Sequence, residues 1–169
     1  MAERQETTRQ PRRWQRLLQR LAWSAPGIFV FSRKLHYLDI PLQRLSGGRL
    51  AVPTLLTGLP VVSLTTTGAR SGTQRTMPVV ALTDGDRLVV IASNWGRRRH
   101  PSWYYNLRAH PEATVTVDGR TAVYTARDAD DDERARYWQQ AVELYPGYRA
   151  YERRAGGRRI PVIVLEPKL

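Results

Sequence analysis

From Pro60 onward the chain alternates short apolar, β-branched runs with tight turn signals, and no other feature narrows its possible folds as much. The runs are Pro60 to Thr66, Arg75 to Thr83, Arg87 to Ser93, Ala113 to Val117, Thr121 to Ala126 and Ile160 to Glu166. Each is rich in Val, Ile, Leu or Thr, which fit a pleated, half-buried surface. Asp84–Gly85 joins the second run to the third, and Asp118–Gly119 joins the fourth to the fifth. Asp-Gly pairs close antiparallel hairpins because both residues tolerate positive φ. A short helix is expected at Ser102 to Ala109, a longer one from about Asp131 to Leu144, and a helical piece after Pro146. The acidic residues at the start of the longer helix suit its N-terminal dipole. Six strands of this kind predict an α+β fold, a barrel of mostly antiparallel strands flanked by helices.

A chain of 169 residues suits one domain with its own core. The absence of cysteine excludes disulfides, thiolate metal ligands and thiol redox chemistry. His36, His100 and His110 are too scattered for a metal motif, and the acidic run Asp128 to Glu133 lacks the alternating oxygen ligands of a calcium loop. No metal is expected. The formal charge of +12 favours an anionic partner. Only Lys34 and Lys168 are lysines, so the positive charge is almost all guanidinium, whose planar fork suits phosphate and carboxylate.

Residues 1–11 read as a polar tail. Trp14, Leu17, Leu18, Leu21 and Ala22 then form one apolar stripe on a short helix, opposite Arg13, Arg16 and Arg20. The stripe suits an anionic membrane surface, with Trp14 and Trp23 near the headgroups, and suits packing on the chain's own domain equally well. Residues 1–25 are therefore assigned to a tail and a basic amphipathic helix, and residues 26–169 to a single domain. No apolar run is long enough to span a bilayer, and the N-terminus lacks a secretory core. A cytoplasmic protein is expected, held peripherally on the inner face of the plasma membrane if residues 12–23 bind lipid.

Two further segments carry chemistry. In LTTTGARSGTQRTMP, residues 64–78, Gly68 and Gly72 allow close backbone approach, and Arg70, Ser71 and Arg75 can grip an anion. A plain hairpin turn with solvated arginines would be written in the same letters. Tyr145, Tyr148 and Tyr151 recur every three residues, so on a helix their phenols form a drifting stripe that serves either a core or a cavity.

Taken in order, LTTTGARSG, IASNWG, HPSWYYNL, YPGYRAYERR and IPVIVLEP resemble the deazaflavin-dependent nitroreductases, also described as coenzyme F420-dependent quinone reductases. The similarity runs from about Pro41 to Pro167. It implies a split β-barrel that binds the reduced deazaflavin coenzyme F420 and passes hydride to a quinone, a nitro compound or an activated alkene. It implies that Arg70, Ser71 and Arg75 meet the cofactor's phosphate and tail, and that Thr76, Met77, Pro78 and Val79 line the groove. Ser93, Asn94, Trp95 and Gly96 would contact the ring or substrate, and Trp103 and Asn106 would form a cofactor wall. Tyr145, Tyr148 and Tyr151 would cover the substrate, with Tyr148 the leading proton donor and Ser93 polarising the oxygen that gains charge. Two residues depart from the family pattern. Asn94 stands where some relatives carry lysine, and Gln74 where they carry proline, with Arg97, Arg98 and Arg99 close by as compensating charge. Three other readings stay open: a flavin mononucleotide-dependent split-barrel reductase, a deazaflavin-binding protein without turnover, and a nucleic-acid-binding barrel. The chain has no recognisable nucleic-acid motif, and no nucleic-acid partner is expected.

Overall fold

Six strands build the domain, their successive side chains turned alternately into the barrel and away from it. The structure, a computed structural model, describes residues 60–168. The expected N-terminal helix, its membrane contact and the boundary at residue 25 lie outside the described residues. The strands are β1 (Val61–Thr67), β2 (Gln74–Asp84), β3 (Arg87–Ile91), β4 (Glu112–Val117), β5 (Arg120–Asp128) and β6 (Val162–Pro167). They close an antiparallel barrel in the order β1-β2-β3-β6-β5-β4. A 3-10 turn (Asn94–Gly96) and helix α1 (Ser102–Ala109) connect β3 to β4, while α2 (Asp131–Leu144) and α3 (Gly147–Arg154) connect β5 to β6.

Val62, Leu64, Leu88, Val90, Val115, Ile163 and Leu165 fill the barrel, joined by Trp103 and Leu107 of α1. On β3 and β6 the intervening residues are buried too. Val89, Ile91, Val162 and Val164 face outward under α2 and α3, against Tyr137, Ala141, Tyr148 and Tyr151. These strands therefore read as unbroken apolar runs, the pattern of a sheet covered on both faces. No helix among the described residues is long and apolar enough to cross a membrane.

The hairpin turns follow from backbone conformation. Asp118 and Gly119 both take positive φ, 48° and 78°, between the paired Val117 and Arg120, as a type I′ turn requires. The other hairpin turn is displaced by one residue from its expected place. Asp84 pairs with Arg87, so the turn residues are Gly85 and Asp86, with positive φ at Gly85 alone. Glycine at the first central position is the type II′ arrangement, which the Asp-Gly reading had placed one step early.

Helix α2 begins in a capping box. The Asp130 side chain accepts from the Glu133 amide at 2.8 Å, and Glu133 accepts from the Asp130 amide at 3.2 Å. Glu133 also takes a bidentate pair from Arg127 of β5, at 2.6 and 2.8 Å, while Arg127 Nε reaches Glu166 of β6 at 3.1 Å. One guanidinium thus ties α2 to two strands. The Arg127 hydrogen bonds hold the Glu133 carboxyl well below the usual carboxylate range, down to about 2, against a smaller opposing effect of burial. A depressed carboxyl contributes stability above its unfolded pKa and loses it as pH falls through its folded one. Glu133→Gln, which keeps the capping geometry, should therefore cost about 1 kcal/mol at neutral pH. The gap from the parent should close as pH drops from about 5 toward 2, as read from paired urea titrations.

Candidate functional site

β2 outruns β3, and the mismatch opens one edge. β3 pairs with β2 only from Ala81 to Asp84, so no described strand lies beside residues 74–80 on that side. Ala81 donates its amide to Pro60 on the β1 side. Alternation along β2 then turns the backbone groups of Gln74, Thr76, Pro78 and Val80 toward the open edge. Pro78 is tolerated in mid-strand because its missing N–H falls on that edge. Alternation also divides the expected groove residues. Met77 and Val79 pack against the barrel core, whereas Thr76 and Pro78 are exposed on the outer face, where Thr76 bonds Thr65 at 2.7 Å. Of the four, Thr76 and Pro78 stand on the exposed face, and Met77 and Val79 are partly buried toward the core.

The turn between β1 and β2 is closed by Gly68 N–H to Thr73 O and Gly72 N–H to Gly68 O, both at 2.9 Å. A Cβ on Gly68 would lie 2.6 Å from Ser71 Oγ and 3.1 Å from the Thr73 carbonyl oxygen, so a side chain there would have to displace the Ser71 hydroxyl. Arg70, Ser71 and Arg75 are exposed, and neither arginine forms an ion pair with another described residue. Such a turn presents free guanidinium groups beside an open strand edge, a donor set suited to an anionic group. Asn106 holds it from behind. The Asn106 carboxamide oxygen accepts from the Ala69 amide, and its nitrogen donates to the buried Thr66 hydroxyl, each at 3.0 Å. Asn106 and Trp103, expected as a cofactor wall, are both buried: Trp103 in the barrel core, Asn106 engaged with β1.

At the same end of the barrel, the chain leaves β3 through Ser93 into three consecutive left-handed residues. Asn94, Trp95 and Gly96 have φ of 48°, 59° and 74°. Gly96 is buried against α3, and a Cβ there would meet the Tyr151 carbonyl oxygen at 2.6 Å. The Asn94 carboxamide donates to the Arg99 carbonyl at 2.8 Å, bracing its own loop where some relatives are expected to have lysine. Trp95 stays 40% exposed. Arg158 completes the loop and was absent from the expected site. Its guanidinium reaches the carbonyls of Ser93 and Arg97 and the ring of His100. The preceding Gly156 and Gly157, both at positive φ, send it back toward β3. That glycine pair was the available signal, obscured by an arginine-rich stretch.

The tyrosines form an aromatic row rather than an open stripe. Trp95 meets Tyr151 edge-on at 5.9 Å, and Tyr145, Tyr148 and Tyr151 contact one another at 5.7 to 6.0 Å. Trp138 of α2 lies beyond Tyr148 at 6.0 Å. The Tyr145 and Tyr151 hydroxyls are 3.2 Å apart. Tyr148 is only 5% exposed, and burial, then Tyr145, raises its phenol above the ordinary tyrosine value. Burial pushes Tyr151 up as well, and its hydrogen-bonded neighbour Tyr145 adds to the shift. Tyr145 is the half-buried member of the three.

The model of the F420H(2)-dependent quinone reductase family matches residues 39–167. The chain belongs to that family. Among its relatives, the F420H(2)-dependent quinone reductase Rv1261c of Mycobacterium tuberculosis is 37% identical over 109 residues, covering 63% of this chain and 72% of its own. A second protein of that organism, Rv3178, provisionally given the same name, is 32% identical over 123 residues, 73% of this chain and 97% of its own. A solved structure described as an F420-H2 dependent reductase (FDR-A) shares 38% identity with a TM-score of 0.58, over 63% of this chain and 94% of that one. The closed barrel is thus the split barrel of these reductases, and the chain is an oxidoreductase that uses reduced coenzyme F420. The flavin mononucleotide, non-catalytic and nucleic-acid readings give way to it.

The support role of Asn106 has a measurable consequence. Asn106→Ala strips the partners from the buried Thr66 hydroxyl and the Ala69 amide and should cost about 2 kcal/mol or more. Exposed Ser102→Ala on the same helix should stay within about 0.5 kcal/mol, both read from denaturant midpoints.

Proposed function

We propose that this reductase delivers hydride to a small quinone, and by the same chemistry to nitro compounds or activated alkenes, at the barrel end between the Gly68–Arg75 turn and the Ser93–Gly96 turn. The observation that carries the reading is the edge of β2 that no described strand pairs, flanked on one side by guanidinium groups that meet no carboxylate of a described residue and on the other by a strained turn bearing exposed Trp95. Reduced coenzyme F420 supplies the hydride when bound. Arg70, Ser71 and Arg75 would hold its phosphate and tail, and Thr76 and Pro78 with the open backbone edge would flank its ring. Ser93 and the following turn would donate hydrogen bonds to the acceptor oxygen as charge develops there.

Within the tyrosine row, a raised pKa makes Tyr148 a weaker acid than an ordinary phenol, and its hydroxyl bonds no other described residue. We assign proton delivery to the half-buried Tyr145, whose hydroxyl is oriented by its hydrogen bond with Tyr151. Tyr148 then shapes the wall behind them. Fluorescence titration with coenzyme F420, followed by anaerobic mixing of the reduced complex with menadione, tests the reading. Cofactor binding with quinone-dependent reoxidation is expected. Ser93→Ala should slow single-turnover hydride transfer by about 10²-fold. Tyr145→Phe should slow product protonation more than Tyr148→Phe does. Absence of cofactor binding by the parent protein would sink the assignment.

The basic segment at residues 12–23 is proposed to touch an anionic membrane surface, on the strength of its apolar stripe opposite Arg13, Arg16 and Arg20. Flotation with anionic liposomes should carry the full chain and leave a chain lacking residues 1–25 behind. Equal flotation of both removes the proposal.

A further inference from the structure

Arg158 takes hold of the Ser93–Gly96 turn at both ends. Nη2 donates to the Ser93 carbonyl at 2.8 Å, Nε donates to the Arg97 carbonyl at 3.1 Å, and Nη1 meets His100 Nδ1 at 2.7 Å. The Ser93 carbonyl also accepts the Gly96 amide at 3.0 Å. A turn with two non-glycine residues at positive φ persists only where its surroundings over-determine it, and this guanidinium is the group that spans it. A lysine ammonium at the same place would lack the planar fork that reaches three acceptors at once.

The contact with His100 fixes a protonation state. A guanidinium has no acceptor, so Nδ1 must be the unprotonated nitrogen and the ring proton must sit on Nε2. A second proton would set donor against donor and cation against cation at 2.7 Å. Around the ring, Tyr104 and Tyr105 of α1 pack at 4.8 and 5.8 Å, Arg158 approaches from the segment after α3, and Arg97, Arg98 and Arg99 precede it on its own loop. No carboxylate of a described residue forms an ion pair with it, so nothing there offsets an added charge.

We propose that Arg158 is a positioning residue that holds the Ser93–Gly96 turn in its strained form, and that protonation of His100 releases this grip. The catalytic meaning of the turn rests on the function proposed above, whereas the latch is a property of the free protein. Burial, and then Arg158, lowers the His100 pKa below the ordinary histidine value. A depressed histidine contributes order above its unfolded pKa and loses it as pH falls through the folded one. The turn is therefore held at neutral pH and loosened in acid.

Hydrogen exchange of the peptide covering residues 93–100, expressed as protection against intrinsic rates, tests this without cofactor. In the parent protein, protection should fall about tenfold as pH is lowered from 7.5 through the His100 titration, with the midpoint at that titration as followed by NMR. His100→Gln, which has no titrating ring, should show no such step. Arg158→Gln should lack the protection on both sides of the parent's His100 titration, and Arg158→Lys should recover only part of it. Protection of α2 should stay constant throughout as a check on folding. A parent profile that is flat across the His100 titration, or full protection in Arg158→Gln, would overturn the latch. The coenzyme F420 titration reads the function separately: no binding with an intact pH step leaves the latch standing, and binding with a flat profile removes the latch alone.

Discussion

The early end of β3 is the constraint on which the site depends. β2 has eleven residues and β3 five, so the chain must leave the sheet while its partner strand continues. Every backbone group in a buried barrel needs a partner, and residues 74–80 lack a strand neighbour on one side among the described residues. The exit itself demands left-handed backbone at Asn94, Trp95 and Gly96, and Gly96 lets that backbone come within contact of α3. One short strand therefore creates an edge in need of polar partners, a strained turn beside it and a helix seated on the turn. A continued β3 would remove all of these features together.

The two turns at this end are held by the same device in different chemical form. Each receives one polar side chain from an element distant in sequence, and in each that side chain binds both backbone and a neighbouring side chain. Asn106, neutral and buried, suits the glycine turn because it can accept from the Ala69 amide and donate to the Thr66 hydroxyl. Arg158, charged and only partly buried, suits the second turn because all its acceptors are carbonyl or ring-nitrogen lone pairs. Helix α1 links the two systems, since His100 lies just before it and Asn106 on its buried face. Movement of α1 would therefore be felt at both turns.

Much of this fold could be read before the structure, because alternation and turn chemistry are local. The strands, the helices and the Asp118–Gly119 turn stand close to where the residues placed them. The hairpin at Gly85–Asp86 was misplaced by one step, since an Asp-Gly pair fits type I′ and does not announce that the glycine will lead a type II′ turn. Site residues were harder to read for the same reason throughout: spacing shows which residues are neighbours along the chain but not which way a shared end of the barrel turns them. Thr76 to Val79 reads as one groove wall until strand alternation divides it. Trp103 and Tyr148 read as ligand contacts, and spacing alone does not show that the fold buries both. Arg158 joins Ser93 and His100 from a remote position, and no local pattern encodes such a closure.

The charge of the chain acquires a direction once its pairings are known. Arg87, Arg108, Arg127, Arg136 and Arg159 meet carboxylates, and Arg158 meets carbonyls, so these guanidinium groups help hold the domain together. Arg70 and Arg75, and Arg97 to Arg99 after the second turn, stand at the barrel end that carries the open edge. Their positive potential is fixed by topology, because the turns that bear them cannot move far from that edge. On the proposed function, a polyanionic cofactor tail approaching this end would meet a field that no carboxylate of a described residue neutralises, and low ionic strength would extend its reach. On that reading, binding would be divided between a long-range pull from exposed arginines and short-range positioning by a braced backbone. Asn106 and Arg158 brace that backbone from within the protein, leaving the exposed guanidinium groups free to recruit.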